Sequence, residues 1–223
     1  NRLEKVLRGG SVVESYEYDP VGNITGMVRG GATYVFTYDD ADRLVNRTGG
    51  GETVEYTYDD AGNLIRVSDS GGMTEYTYDG KLLLEQVDLP GGETVEYTYN
   101  ADDQLVSRRQ GGEQVDYLLD GDRVHSDYTG GNRSTLYMRG ADRDELYGFV
   151  PEGETPSFIH QDHLNTVLAF SGEFGNVTGR RSYSAYGVRT SETGVHSRYG
   201  YTGRELDDST GLMYYRSRWY SPD

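Results

Sequence analysis

A chain of 223 residues with 35% hydrophobic residues, 21 tyrosines and only 5 prolines is long enough for one large domain or two small ones. That much tyrosine argues against disorder, and the low proline content against collagen-like or proline-rich chains. A net charge of −16 repels nucleic-acid backbones and anionic membranes, and the absence of cysteine removes disulfides and thiolate metal sites while leaving the compartment open. No apolar run approaches the roughly 18 residues of a helical membrane span, and no targeting leader is visible at the N-terminus.

From the N-terminus the chain is ruled in steps of about twenty. Tyr18-Asp19, Tyr38-Asp39, Tyr58-Asp59, Tyr78-Asp79 and Tyr99-Asn100 follow at intervals of 20, 20, 20 and 21 residues. Gly-Gly pairs keep the same ruler from Gly9-Gly10 to Gly130-Gly131, past the point where Tyr-Asp decays into "YLLDGDR" at 117–123. Within a unit the apolar period is two: Val54, Tyr56 and Tyr58 fall on one face of an extended segment, and Thr53, Glu55 and Thr57 on the other. This pattern predicts strands at roughly 53–58, 73–78 and 94–99. The following "DDAG" supplies an Asp that caps a turn and a Gly that accepts positive φ, so Gly62 and Gly22 are expected in left-handed turn positions. "NLIRV" returns as a second strand, and Gly-Gly closes the unit. Each unit reads as one β-hairpin, and hairpins in tandem build an antiparallel sheet. Leucine-rich repeats share the period but not the pattern, and a WD40 blade needs about 40 residues.

"YEYDPVGNI" (16–24), "FTYDDADRL" (36–44) and "YTYDDAGNL" (56–64) resemble the repeats of the Rhs/YD-repeat family, which includes Rhs polymorphic toxins, the C components of Tc toxins, wall-associated bacterial proteins and the teneurins. "FIHQDHLNTVLAFSGEFGNVTGRRSYSAYG" (158–187) and "YGYTGRELDDSTGLMYYRSRWYSP" (199–222) are similar to its Rhs-repeat-associated core, with Asn165 where Gly is usual and Trp219 where Tyr is usual. The resemblance implies an all-β fold of tandem hairpins in a spiralling sheet that forms part of a hollow shell. Residues 1–146 would be the repeat array and 147–223 the core region, with both ends lying within a longer polypeptide. It implies a structural role, enclosing and carrying a C-terminal effector or toxin of a secreted Rhs-type protein. The alternative is a cell-surface or cell-wall adhesion protein on the same scaffold. The partners would be the remainder of the same polypeptide and, beyond it, secretion-system or cell-surface proteins. Neither nucleic acid nor a membrane span is expected.

The family's self-cleaving aspartyl protease depends on paired D-P-x-G motifs, which are absent here, so no catalytic residue, cofactor or metal site is expected and the chain should not cleave itself. His160, Asp162 and His163 form an H-x-D-H cluster. On a strand, His160 and Asp162 would share a face and His163 would point away, which suits a hydrogen-bonded strand-and-turn motif better than a metal site. His125 and His196 read as isolated surface residues. The acidic turns "DDAD" (39–42) and "NADDQ" (100–104) lack a calcium-loop pattern, so turn capping is the better account. In "GRELDDSTGLMYYRSRWY", Arg216 and Arg218 are expected on one face of a strand and Tyr215, Ser217 and Trp219 on the other. The arginines would be packed among aromatic rings and paired with Glu205, Asp207 and Asp208 beside them.

Overall fold

The computed structural model describes residues 2–142 and 144–222. Among these described residues it is all-β, with a single 3-10 turn at Tyr201–Gly203. The chain divides into two compact units, Asn1–Thr77 with Asp88–Gly92, and Tyr78–Val87 with Glu93–Asp223. Nineteen strands belong to an antiparallel sheet and the last three to a separate small one.

The first unit holds β1 (Lys5–Arg8), β2 (Ser11–Tyr18), β3 (Ile24–Arg29), β4 (Ala32–Tyr38), β5 (Leu44–Gly49), β6 (Glu52–Tyr58), β7 (Leu64–Asp69) and β8 (Gly72–Tyr78). The expected alternation is present: in β6, Val54 is buried and Tyr56 and Tyr58 half-buried, while Thr53, Glu55 and Thr57 are exposed. Antiparallel pairing runs Tyr56↔Val67 and then slips one residue to Tyr58↔Leu64. The same bulge falls before Tyr18 and Tyr38. The extra residue lies on the returning strand, Ile65 in this unit, and the Tyr-Asp pair ends the ladder, where both side chains make further bonds. The tyrosine hydroxyl reaches back one unit to a backbone carbonyl: Tyr18 to Leu3 at 2.7 Å, Tyr38 to Ile24 at 2.8 Å and Tyr58 to Leu44 at 2.9 Å.

The aspartate closes the turn. Asp59 Oδ1 accepts from the Asn63 backbone N–H and Oδ2 from its side-chain amide, both at 2.8 Å, and Gly62 N–H donates to the Asp59 carbonyl. These amides, the Asn63 side chain foremost, hold the Asp59 carboxyl below the usual carboxylate range. Gly62 and Gly22 lie at φ +88° and +118°, as the turn chemistry requires. At the same turn position in other units stand Asp42, Leu82, Asp103 and Asn165, each at φ between +58° and +65°. Asp and Asn tolerate that region; Leu82 does not, and its side chain is exposed there.

The second unit continues with β9 (Leu84–Asp88), β10 (Thr94–Tyr99), β11 (Leu105–Gln110), β12 (Glu113–Asp120), β13 (Arg123–Thr129), β14 (Asn132–Arg139), β15 (Leu146–Pro151), β16 (Ser157–Gln161), β17 (Val167–Ser171), β18 (Val177–Tyr183) and β19 (Arg189–Gly194). The three expected strand segments thus coincide with β6, β8 and β10. The small sheet is β20 (Glu205–Leu206), β21 (Met213–Tyr214) and β22 (Trp219–Tyr220). Val87, Val95, Val167, Phe170 and Leu146 of this unit are fully buried.

Candidate functional site

The chemistry of the molecule gathers where the small sheet covers the face of β10–β14. Trp219 of β22 packs on Tyr97 and Tyr214, with ring centroids 4.4 and 5.1 Å apart, and its indole N–H donates to Tyr99 Oη at 3.0 Å. Tyr214 Oη accepts from the Leu105 backbone N–H at 3.1 Å. Burial pushes the Tyr214 hydroxyl up to about 12, so it stays protonated at neutral pH. The link between β20 and β21 is a turn capped by Asp207, whose backbone N–H donates to the Leu212 carbonyl, with Gly211 at φ +71°.

Asp207 also anchors this turn to the large sheet. Its carboxylate accepts from Arg108 Nε at 2.6 Å, Arg108 Nη2 at 3.0 Å and Tyr97 Oη at 2.7 Å. Burial pushes the Asp207 carboxyl up, but the two-pronged Arg108 guanidinium and the Tyr97 hydroxyl outweigh it and hold the group below its ordinary value. These partners lie about a hundred residues apart in sequence.

Beside this pair, Arg198 enters a box of rings and carboxylates. Its guanidinium lies 2.5 Å from Asp127 Oδ2 and 3.1 Å from Glu205 Oε2. It sits over the Tyr117, Tyr137 and Tyr199 rings at 4.6, 5.1 and 5.2 Å from their centroids. Tyr137 Oη donates to Asp127 Oδ2 at 2.7 Å and Tyr199 Oη to Glu205 Oε1 at 2.9 Å. Burial alone would pull the Arg198 pKa down; Asp127, Tyr137 and Glu205 reverse that, and the group is held well above its ordinary value. Burial likewise raises Tyr137 well above 10.

Several sequence expectations need correction here. Arg216 and Arg218 do not share a strand, because the chain turns between β21 and β22 with Arg216 at φ +64°. Arg216 is half-buried and pairs with Asp122 and Asp144 at 3.1 and 2.8 Å, carboxylates of the large sheet's turns and not its neighbours in sequence. Arg204 meets the same Asp144 at 2.8 Å. Arg218 is exposed. Trp219 stands opposite Tyr214 in the ladder instead of sharing a face with Tyr215. His196 is on the surface but not isolated, lying 3.4 Å from Glu192 and 3.1 Å from Asp208. His160 is in β16, with Nε2 2.9 Å from Ser171 Oγ, while Asp162 has left the strand and accepts from the backbone N–H groups of Leu164 and Thr166. "DHLNT" is therefore a repeat turn in which Asn165 takes the glycine position. Arg198 and Asp127 carried no motif. The sequence signal that marks Asp127 is an acid inside an otherwise strand-like "RVHSDY" segment.

Chemically the site is a clamp. Each cation meets its carboxylate directly, and among the described residues no cluster of three or more histidines and acids has metal-binding geometry.

Solved structures share this architecture. The Tc holotoxin pore of Photorhabdus luminescens, with a TccC3 variant, superposes with a TM-score of 0.50 at 16% identity, over 96% of this chain and 15% of that one. The TcdB2-TccC3-TEV crystal structure gives 0.52 at 16%, over 95% and 15%. In sequence, the tRNA3(Ser)-specific nuclease WapA of Bacillus spizizenii is 29% identical over 109 residues, and the tRNA nuclease WapA of Bacillus subtilis is 28% identical over 109 residues. Each alignment takes in 43% of this chain and 5% of the relative, so the matched stretch is a small part of those proteins. The sequence profile of the teneurin YD-shell matches residues 1–223. The chain belongs to the teneurin YD-shell family.

Proposed function

We propose that this chain is a wall segment of a longer, secreted Rhs-type polypeptide whose shell encloses and carries a C-terminal effector. Residues 1–146 act as the repeat wall and 147–223 as the core region that closes it. The observation that carries this reading is the tiling of hairpins linked unit to unit by tyrosine hydroxyls, a device for extending a wall, capped by a C-terminal clamp in which the charges are already paired. The WapA relatives, named as tRNA nucleases, align with this chain over 5% of their length, which is compatible with a scaffold that is separate from the nuclease activity. In this reading the chain itself catalyses nothing.

Limited proteolysis of the full-length polypeptide tests the proposal. Its C-terminal region should survive protease that digests the same region expressed alone, because the wall excludes the protease. Equal digestion rates would refute enclosure and favour the adhesion role. Site-specific self-cleavage of the purified 223-residue chain between about pH 3 and 8 would refute its inertness.

A further inference from the structure

Four Asn-x-Ser/Thr triplets occur in the chain: Asn23-Ile24-Thr25, Asn46-Arg47-Thr48, Asn132-Arg133-Ser134 and Asn176-Val177-Thr178. Such a triplet is the acceptor pattern for N-linked glycans: the amide nitrogen takes the sugar, and the transferase reads the hydroxyl two residues on. The fold sorts the four. Asn23 has both amide hydrogens committed, to Asp19 Oδ2 and Asp42 Oδ1 at 2.9 Å each. Asn46 is half-buried inside β5 and donates to Thr37 Oγ1 at 3.3 Å. Asn132 is exposed at the start of β14, but only Gly130 and Gly131 precede it in the turn.

Asn176 differs from all three. It closes the turn between β17 and β18, where Gly172 N–H donates to its carbonyl at 3.0 Å and Gly175 stands at φ +79°. The residue is exposed, and its side chain makes no hydrogen bond among the described residues. Two features around it have no explanation within the fold. Phe174, at the tip of the turn, is 88% exposed, the most exposed large apolar side chain among the described residues, and Val177 is 54% exposed. Thr178 Oγ1 is buried without a hydrogen-bond partner, where a valine would fill the same space with no unpaired hydroxyl.

A sugar on Asn176 accounts for both. The Thr178 hydroxyl is what a transferase reads on the extended chain, before folding hides it. Phe174 and Asn176 are two residues apart, with at most about 7 Å between their Cα atoms. The first sugar can therefore lay its C–H face on the ring, whose negative face attracts those hydrogens.

We propose that Asn176 carries an N-linked glycan whose first pyranose packs on Phe174 and shields Val177 from water. In the transfer, one N–H bond of the Asn176 amide is replaced by a bond from Nδ2 to the sugar C1. The C1–O bond of a lipid-phosphate-linked sugar breaks, the lipid phosphate leaves with the electron pair, and the amide proton passes to a base of the transferase.

The inference rests on export of the polypeptide. The experiment supplies export, so its result is independent of the shell reading. The 223-residue chain is expressed behind a secretion leader in a eukaryotic host, and the secreted protein is treated with peptide-N-glycosidase in heavy-oxygen water. Peptide mass spectrometry should find Asn176 labelled and Asn23 unlabelled. Asn176→Gln, which takes no sugar, should melt about 2–4 °C below the glycosylated chain. In a Phe174→Ala background the same change should shift the midpoint by nothing, because the cycle isolates the contact between sugar and ring. Both side chains are exposed, so each variant should keep the β-sheet circular dichroism of the parent. An unlabelled Asn176 in the folded, secreted chain would overturn the proposal. So would equal labelling of Asn23, or a midpoint shift that persists undiminished in the Phe174→Ala background.

Discussion

The two units use the same hairpin but hold it in different ways. In the first unit, buried side chains are few, chiefly Tyr16, Met27 and Val54, and stability comes from bonds repeated every twenty residues: a tyrosine hydroxyl to a carbonyl, an aspartate to turn amides. In the second, β10–β14 are covered by a C-terminal segment, and side chains 60 to 120 residues apart meet in a dense core of rings and ion pairs. One unit is stabilised locally and redundantly, the other by a few distant contacts with no substitutes. A repeat therefore tolerates the loss of any one rung, whereas the core depends on single residues.

Substitution sharpens that difference. The largest effect is expected for Arg198→Ala, which strands Asp127 and Glu205 in a buried box and should destabilise the second unit by roughly 3–5 kcal/mol. Amide hydrogen exchange should show the loss in β12–β14 and not in β2–β7. Arg66→Ala, which breaks the exposed pair with Glu75 in the first unit, should change stability by only about 0–1 kcal/mol. Comparable losses in both variants would erase the contrast.

Acid should open the second unit through Asp207. Its folded pKa lies below the unfolded value of 3.8, so its contribution is fully present above about pH 4 and is lost as pH falls through the lowered folded value. Thermal melts from about pH 6 down to 2 should show a fall that Asp207→Asn flattens, at the expense of lower stability at pH 6. An unchanged pH profile in that variant would remove Asp207 from the account.

Within the first unit the effects are smaller. Gly62→Val should cost about 1–2 kcal/mol, purely from backbone strain, because a Cβ there would meet nothing within 4 Å. The reverse experiment is Leu82→Gly, which relieves a left-handed leucine and should stabilise by up to about 1 kcal/mol in urea unfolding. Tyr58→Phe removes one hydroxyl-to-carbonyl bond and should cost about 0.5–1.5 kcal/mol; a neutral result would mean that the ring, and not the hydroxyl, is what the repeat requires.

The repeat was legible because its information is local. Tyr56-x-Tyr58 announces a strand, Asp59 a cap and Gly62 a left-handed turn, each within a window of ten residues. Even "DHLNT" yields to the same reasoning once Asn165 is read as a stand-in for glycine. The core was less legible because its partners are chosen by topology. Arg216 was expected to pair with adjacent carboxylates, yet the turn at Arg216 carries it to Asp122 and Asp144. No local pattern links Arg198 to Asp127, 71 residues away, since their meeting depends on where the small sheet lands.

The tyrosine rungs also bear on how such a wall changes length. Tyr38 reaches only to the unit before it, and the carbonyl is offered at the same place to Tyr18 and Tyr58. Duplicating one twenty-residue tile therefore leaves no donor or acceptor unmet at either junction. Deleting half a tile would strand a hydroxyl and break the bulge register. Growth or loss in whole tiles is thus the mutational step with the smallest penalty, and the wall is a structure that a genome can lengthen by copying.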